Sequence, residues 1–248
     1  MKTERTMNAN EMPAAEGAAP ATGMIATRPS SIASGFTLIE LLTVIAVIGV
    51  LAAFLLSVTG GVQRTKYINT ATAEMNKIET ALDNYKNQYG TYPPAGTNVL
   101  VNPLYFELVG STNSNPSANP PVVTTLDGNQ NGTPAGLGLS GFINCNKPGA
   151  GGEDNAAARD FLLEVRPNQV DVITNSSGWT NAILITSVGG PAASYAPMGA
   201  TGINPWRYAY PGTNNPNSYD LWVQLVIGKT TNLVCNWSSK VQINTSYP

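Results

Sequence analysis

Histidine is entirely absent from the 248 residues. That single gap removes Ser-His-Asp triads, Cys-His dyads, His-ligated metals and imidazole pH switches. Charge is scarce as well: Asp, Glu, Lys and Arg make up 11% of the chain, for a net charge of −2. No basic stripe stands out, so nucleic acid is not an expected partner, and the net charge points to no other. No Gly-rich lysine loop that would cradle phosphates occurs, so any nucleotide-driven work has to come from separate machinery.

Cysteine is nearly absent too, with only Cys145 and Cys235. Lacking histidine beside them, the two cannot complete a four-ligand zinc shell. An even pair in an exported domain suggests a disulfide. Closing a loop of about 90 residues would stabilise the fold by roughly 4–5 kcal/mol in the chain-entropy model. Two buried thiols are the alternative.

Long apolar runs are missing except for one, Phe36–Val58, FTLIELLTVIAVIGVLAAFLLSV. At 1.5 Å per residue it makes a helix about 34 Å long, enough for a bilayer core of about 30 Å. Glu40 is its sole ionisable residue. An ionisable group inside a membrane span is a functional hypothesis by default, because it is costly there unless paired. The plainer reading has Glu40 near the helix end, reaching headgroup water.

Before this run, residues 1–35 are rich in Ala, Pro, Ser and Thr and show no hydrophobic period, which reads as a disordered leader. After it, Gly60-Gly61 marks a weak point. Ile68, Ala71, Met75, Ile78, Leu82, Tyr85 and Tyr89 then recur at alternating spacings of three and four, one apolar stripe of a helix. Glu74 with Lys77, and Asp83 with Lys86, are expected on its wet side. Gly90 stops the helix and Pro93-Pro94 forbids its continuation. Residues 36–89 thus predict one helix of about 54 residues, near 80 Å long.

From residue 90 onward short strands alternate with turn clusters. Val99–Val101, Pro121–Leu126, Ala182–Val188, Trp206–Tyr210, Asp220–Ile227 and Asn232–Trp237 are the strand candidates. Ala156–Val165 has the composition of a short helix, capped by Asp154 or Asn155 and ended before Pro167. The expected fold class is α+β: a long N-terminal helix, transmembrane in its first half, packed on a C-terminal globular head with an antiparallel β-sheet. The expected segments are a leader (1–35), the helix (36–89, with 36–58 in the membrane) and an extracytoplasmic head (90–248).

An ordinary secretory signal is cut after its hydrophobic core. Here the small residue, Gly35, stands before the core, so a cut after it discards the leader and keeps the helix. Gly35-Phe36-Thr37-Leu38-Ile39-Glu40 and the apolar run behind it resemble the N-terminus of type IV prepilins and type II secretion pseudopilins. The resemblance implies Gly35 as the recognition residue for prepilin peptidase, Phe36 as the N-methylated first residue of the mature subunit, and Glu40 as the assembly carboxylate. A staggered bundle would present Glu40 to the Phe36 amine of the next subunit, so that an unpaired acid penalises a misplaced copy. It further implies a homo-oligomeric helical filament, an inner-membrane assembly platform and minor pseudopilins as partners. The location so implied is a single-pass inner-membrane precursor with a periplasmic head, then a pseudopilus or extracellular filament. Arg28 is the only basic residue near the span on the leader side, whereas Arg64 and Lys66 follow it, so orientation rests on the resemblance rather than on flanking charge.

Near the other end, Asn204-Pro205-Trp206-Arg207-Tyr208-Ala209-Tyr210-Pro211-Gly212, Tyr219-Asp220-Leu221-Trp222 and Asn236-Trp237 resemble the end of the major pseudopilin of type II secretion. Asn204 and Arg207 replace its usual Asp and Gly. Its acidic calcium loop is replaced by Gly228-Lys229-Thr230-Thr231-Asn232, which has no acid. No cofactor is therefore expected, with one candidate exception. Asp127-Gly128-Asn129-Gln130-Asn131-Gly132 opens like a D-x-N-x-N-G calcium loop, with Asp127, Asn129 and Asn131 as ligands, but Gly138 stands where the bidentate Glu belongs. A plain Asn-Gly surface turn explains the same residues.

The favoured function is a structural filament subunit, not an enzyme. A minor pilin or tip adhesin with an enlarged head is the alternative. A membrane-tethered enzyme using Glu153, Asp154, Asp160, Glu164 or Asp171 is a third class, without a supporting motif.

Overall fold

A computed structural model of the chain describes residues 35–146, 157–175, 177–189 and 202–245, with the backbone alone at 54–60. The expected leader, apart from Gly35, and the acids Glu153 and Asp154 lie outside the described residues. The chain divides into two units, Met1–Ala52 and Ala53–Pro248.

In the first unit the described residues are the start of helix α1, Leu38–Tyr89. Leucine, isoleucine, valine and alanine occupy most of the helix there, with Glu40 and Thr43 too few to make a polar face. Among the described residues no helix is long and apolar enough to cross a membrane. The expected span of 36–58 runs into 54–60, whose side chains lie outside the described residues.

In the second unit α1 continues through Gly60-Gly61 without a break. Its stripe of Ala71, Met75, Ile78, Ala81, Leu82 and Tyr85 is buried, with Tyr67, Ile68 and Tyr89 packed at the margin. The helix stops as expected, with Gly90 at φ 75° and its N–H donating to Lys86 O at 2.7 Å. Glu74 departs from expectation. It is buried, not on the wet side, because the Thr186 hydroxyl and the Ser187 amide and hydroxyl all donate to its carboxylate.

The elements that follow are α2 (Leu104–Val109), β1 (Ser111–Asn115), β2 (Val122–Thr125), β3 (Asn131–Gly132), β4 (Cys145–Asn146), β5 (Val170–Thr174), β6 (Thr180–Leu184), β7 (Arg207–Ala209), β8 (Asp220–Ile227), β9 (Thr230–Cys235) and β10 (Ser238–Ile243). The unit is α+β. One sheet runs β10-β9-β8-β7, antiparallel throughout. A second runs β3-β2-β1-β4, its β1–β4 pair parallel, and β5–β6 form an antiparallel hairpin. The core joins the α1 stripe, all of α2, and inward residues such as Ile183, Trp206, Tyr208, Leu221 and Leu225.

Two expected elements are not formed. Val99–Val101 is a turn in which the Val101 amide donates to Asn98 O and the Leu100 amide to Asn98 Oδ1. The helix expected over 156–165 is absent from 157–165, because its amides are bonded elsewhere. Ala158 N donates to Asn146 Oδ1, Arg159 N to Asn144 Oδ1, and Phe161 N and Leu162 N to Leu108 O. Four of the amides that an intrahelical ladder needs are thereby taken.

Candidate functional site

The six residues Gly35–Glu40 form a compact local structure at the start of α1. Thr37 precedes the first helical residue, and its hydroxyl accepts from the Glu40 amide at 3.3 Å. In return Glu40 Oε2 accepts from the Thr37 amide and from the Thr37 hydroxyl, each at 2.8 Å. This reciprocal arrangement is a capping box, which satisfies amide donors that a helix start leaves open. Glu40 is therefore drawn back toward the helix start, on the side of the peptide that joins Phe36 to Thr37. Gly35 meets nothing within 4 Å of a built Cβ, so its surroundings are open.

Around this polar point lies an unbroken apolar surface. Phe36, Leu38, Ile39, Leu41, Leu42, Val44, Ile45, Val47, Ile48, Val50 and Leu51 are between 48% and 82% exposed. A fully buried side chain of this size is worth about 1.5–3 kcal/mol, so covering the exposed half to four-fifths of all eleven is worth on the order of 10–20 kcal/mol. Chemically, the segment can do one thing well: pack into an apolar environment while presenting one carboxylate.

The other expected site residues lie in the second unit. Cys145 lies in β4 against the main core, whereas Cys235 in β9 packs with Trp222 and Leu233 in a separate cluster. The expected disulfide is a correction: the two sulfurs are not bonded to each other. The two cysteines sit on different sheets, and even number is no evidence of proximity. Burial also pushes the Cys235 thiol up, against the thiolate that disulfide chemistry needs.

Asp127 is used by its own loop. Its Oδ1 accepts from the Thr125 hydroxyl and the Asn129 amide, and its Oδ2 from the Asn129 side chain and the Tyr105 hydroxyl. Burial opposes ionisation there, but these four hydrogen bonds outweigh it and hold the carboxyl below the ordinary aspartate range. Asn131 Oδ1 faces the strand instead, accepting from Thr124 at 2.6 Å. Among the described residues, no three His, Cys, Asp or Glu side chains come together as a metal centre. Asp160 and Asp171 are spent on the neighbouring amides of Leu162 and Val172.

Three positions went unread in the sequence. Thr37 is the first, although Thr-x-x-Glu before an apolar run is the recognisable mark of a capping box. Glu107 is the second: it is fully buried in α2 and accepts from Tyr85 Oη, Ile143 N and Asn144 N. Asp220 is the third. Its carboxylate gathers the amides of Thr213, Asn214 and Asn215 and so closes the Pro211–Ser218 loop. Nothing in the spacing of the last two announces these roles, which depend on tertiary contact.

One family model matches the chain, the prokaryotic N-terminal methylation motif, over residues 31–56. No curated protein and no solved structure matches. The matched stretch contains the capping box and nearly the whole of the exposed apolar surface.

Proposed function

We propose, on the ground that residues 31–56 carry the hallmark of type IV pilins and pseudopilins, that this chain is a structural subunit of a type II secretion pseudopilus or type IV pilus-like filament. The motif implies processing by prepilin peptidase and assembly into filaments in general, and it indicates a structural protein rather than an enzyme. The precursor is held in the inner membrane by its apolar run, cut after Gly35 and methylated at Phe36. It then moves into a filament whose centre is made of such helices, with an assembly platform and minor pseudopilins as its working partners.

The observation that carries this reading is the apolar surface of Phe36–Leu51, in which Glu40 is the only ionisable residue. Lipid and a bundle of sister helices are the two environments that accept such a surface. The second offers a partner of opposite charge inside the apolar layer, the amine freed at Phe36. N-terminal mass spectrometry of the protein recovered from cells tests the processing step. A chain beginning at N-methylated Phe36 is expected; an intact leader would overturn the proposal, as would absence of filaments by electron microscopy.

A further inference from the structure

Arg64 and Lys229 lie toward one end of the β7–β10 sheet, Lys66 follows Arg64 by two residues on α1, and the stretches of α1, β9 and β10 around them carry no acid. Arg64 donates from Nε to Asn232 Oδ1 at 2.9 Å, which fixes it against β9. Asn232 pairs with Leu225 and with Ile243. Three residues from Asn232, Lys229 stands exposed in the β8–β9 turn behind Gly228 at φ 62°. Lys66, also exposed, follows Arg64 by two residues on α1. No acidic side chain occurs between Glu40 and Glu74, nor after Asp220. Glu74 is ten residues along α1 from Arg64, about 15 Å at helical rise. Asp220 begins β8, whose other end is Ile227 beside the turn, about 23 Å away at strand rise.

The same end carries apolar and amphipathic side chains. Val62 is 61% exposed and Ile243 53% exposed, and Tyr67 is half-buried with its hydroxyl bonded to Gln63. Cations mixed with aliphatic side chains and a tyrosine are the composition of a membrane–water interface. Arg64 and Lys66 lie six and eight residues beyond Val58, about 9 and 12 Å along the helix, just outside a polar layer roughly 5–8 Å thick on each side, and their long side chains reach headgroups by extending toward the bilayer.

We propose that Arg64, Lys66 and Lys229 form a docking surface for anionic lipid headgroups, which engages the bilayer while the subunit is still anchored in it. The inference rests on the membrane-anchored precursor of the preceding section and adds a second, electrostatic contact to it. Each cation near an anionic surface shifts the docked-to-undocked ratio by about 5-fold, so three shift it on the order of 100-fold. Salt erases this as the screening length falls from about 10 Å at 0.1 M to about 3 Å at 1 M. Assembly, which removes the subunit from lipid, gives up the contact.

The test uses the full chain in vesicles containing a dansyl-headgroup lipid, with energy transfer from the protein's tryptophans as the reading. Transfer is expected to be higher in vesicles with 30% phosphatidylglycerol than in phosphatidylcholine alone, and to fall to the phosphatidylcholine level at 1 M salt. The triple variant Arg64→Gln/Lys66→Gln/Lys229→Gln is expected to lose the difference. Lys229→Gln alone, on an exposed turn, is expected to shift the ratio about 5-fold without touching the Arg64–Asn232 bond. Lys86→Gln, at the far end of α1, is expected to change nothing. Equal transfer in both vesicles overturns the proposal, and so does a Lys86→Gln effect as large as that of the triple variant. A triple variant that keeps its lipid response but loses self-association would make the cations an interface between copies, again overturning it. Failure of the wild-type chain to float with either vesicle would instead strike at the anchored precursor itself.

Discussion

Replacing Glu107 by Ala should cost the head much of its stability. Glu107 is 0% exposed, and its Oε1 accepts from Ile143 N at 2.9 Å while Oε2 accepts from Asn144 N at 3.0 Å and Tyr85 Oη at 2.9 Å. Asn144 extends the knot: its side chain donates to Glu107 O and Arg159 O and accepts from Tyr89 Oη and Arg159 N. One carboxylate thus ties α2 to α1 and to the segment that leads into β4. Truncation strands two buried donors, Tyr85 Oη and Asn144 N, and one part-buried, Ile143 N, at about 1–3 kcal/mol each, so a loss of roughly 3–9 kcal/mol is expected. That is a large part of the 5–15 kcal/mol typical of a whole domain. Glu107→Gln keeps one acceptor and the shape, and should cost about 1–3 kcal/mol.

Burial raises the Glu107 pKa, an effect the amides of Asn144 and Ile143 and the Tyr85 hydroxyl offset only in part. The folded state therefore binds this proton more tightly than the unfolded chain. The resulting stabilisation is complete below the ordinary glutamate value of about 4.3 and is lost as pH rises through the folded value. Glutamine does not titrate, so the margin of wild type over Glu107→Gln should be widest near pH 4 and narrow toward neutrality. Urea denaturation of the full chain in detergent, followed by circular dichroism between pH 3.5 and 7.5, reads both effects. A Glu107→Ala loss under about 1 kcal/mol, or a margin that widens with pH, refutes the reasoning.

At the helix start, Thr37→Ala removes the capping box and should destabilise the first turn by about 1 kcal/mol, leaving filaments to form. Glu40→Lys should abolish them, and unchanged filament yield by electron microscopy would remove the assembly role of the carboxylate. Reducing agent should leave the melting temperature of the chain unchanged, whereas a Cys145–Cys235 bond would make it fall on the order of 10 °C. Asp127→Asn should cost about 0.5–1 kcal/mol at neutral pH, because the carboxylate is exposed and solvent screens its hydrogen bonds. Because the Asp127 carboxyl is held below its ordinary range, that difference is present above about pH 3.9 and disappears as pH falls through the folded value. Millimolar calcium should not raise the wild-type melting temperature, and a clear rise would make Asp127, Asn129 and Asn131 a cation site after all.

What could be read in advance follows from where each element finds its partners. The α1 stripe was legible because Ala71, Met75, Ile78, Leu82 and Tyr85 all face one core, so burial left a period of 3.6 in the chain. β8 spans Asp220–Ile227, the bounds expected from its β-branched and aromatic run. α2 left no such mark: all six of its residues are buried, so no face is distinguished. β1 reads Ser-Thr-Asn-Ser-Asn, which no propensity favours as a strand; it is one because β2 and β4 both pair with it. At the candidate site the local motif was visible from Gly35 to Glu40, since its geometry spans one helical turn. The cysteine pair was misread because loop closure says what a bond would be worth, not whether two sulfurs meet.

If the subunit leaves lipid for a filament, hydrophobicity cannot be what drives the transfer. The side chains of Leu38–Leu51 are as well accommodated by acyl chains as by one another, so exchanging one for the other gains little. What lipid lacks is a partner for Glu40 beyond the subunit's own Thr37, and close packing around small residues. Ala46, Gly49, Ala52 and Ala53 supply the second, since a Cβ built on Gly49 meets nothing within 4 Å and its flank is open to another backbone. The first needs an amine at the right height, which exists only once the peptide after Gly35 is cut. Cleavage would therefore act as the thermodynamic switch: before it Glu40 has only its capping box, and after it a neighbour's Phe36 would offer a cation within the apolar bundle.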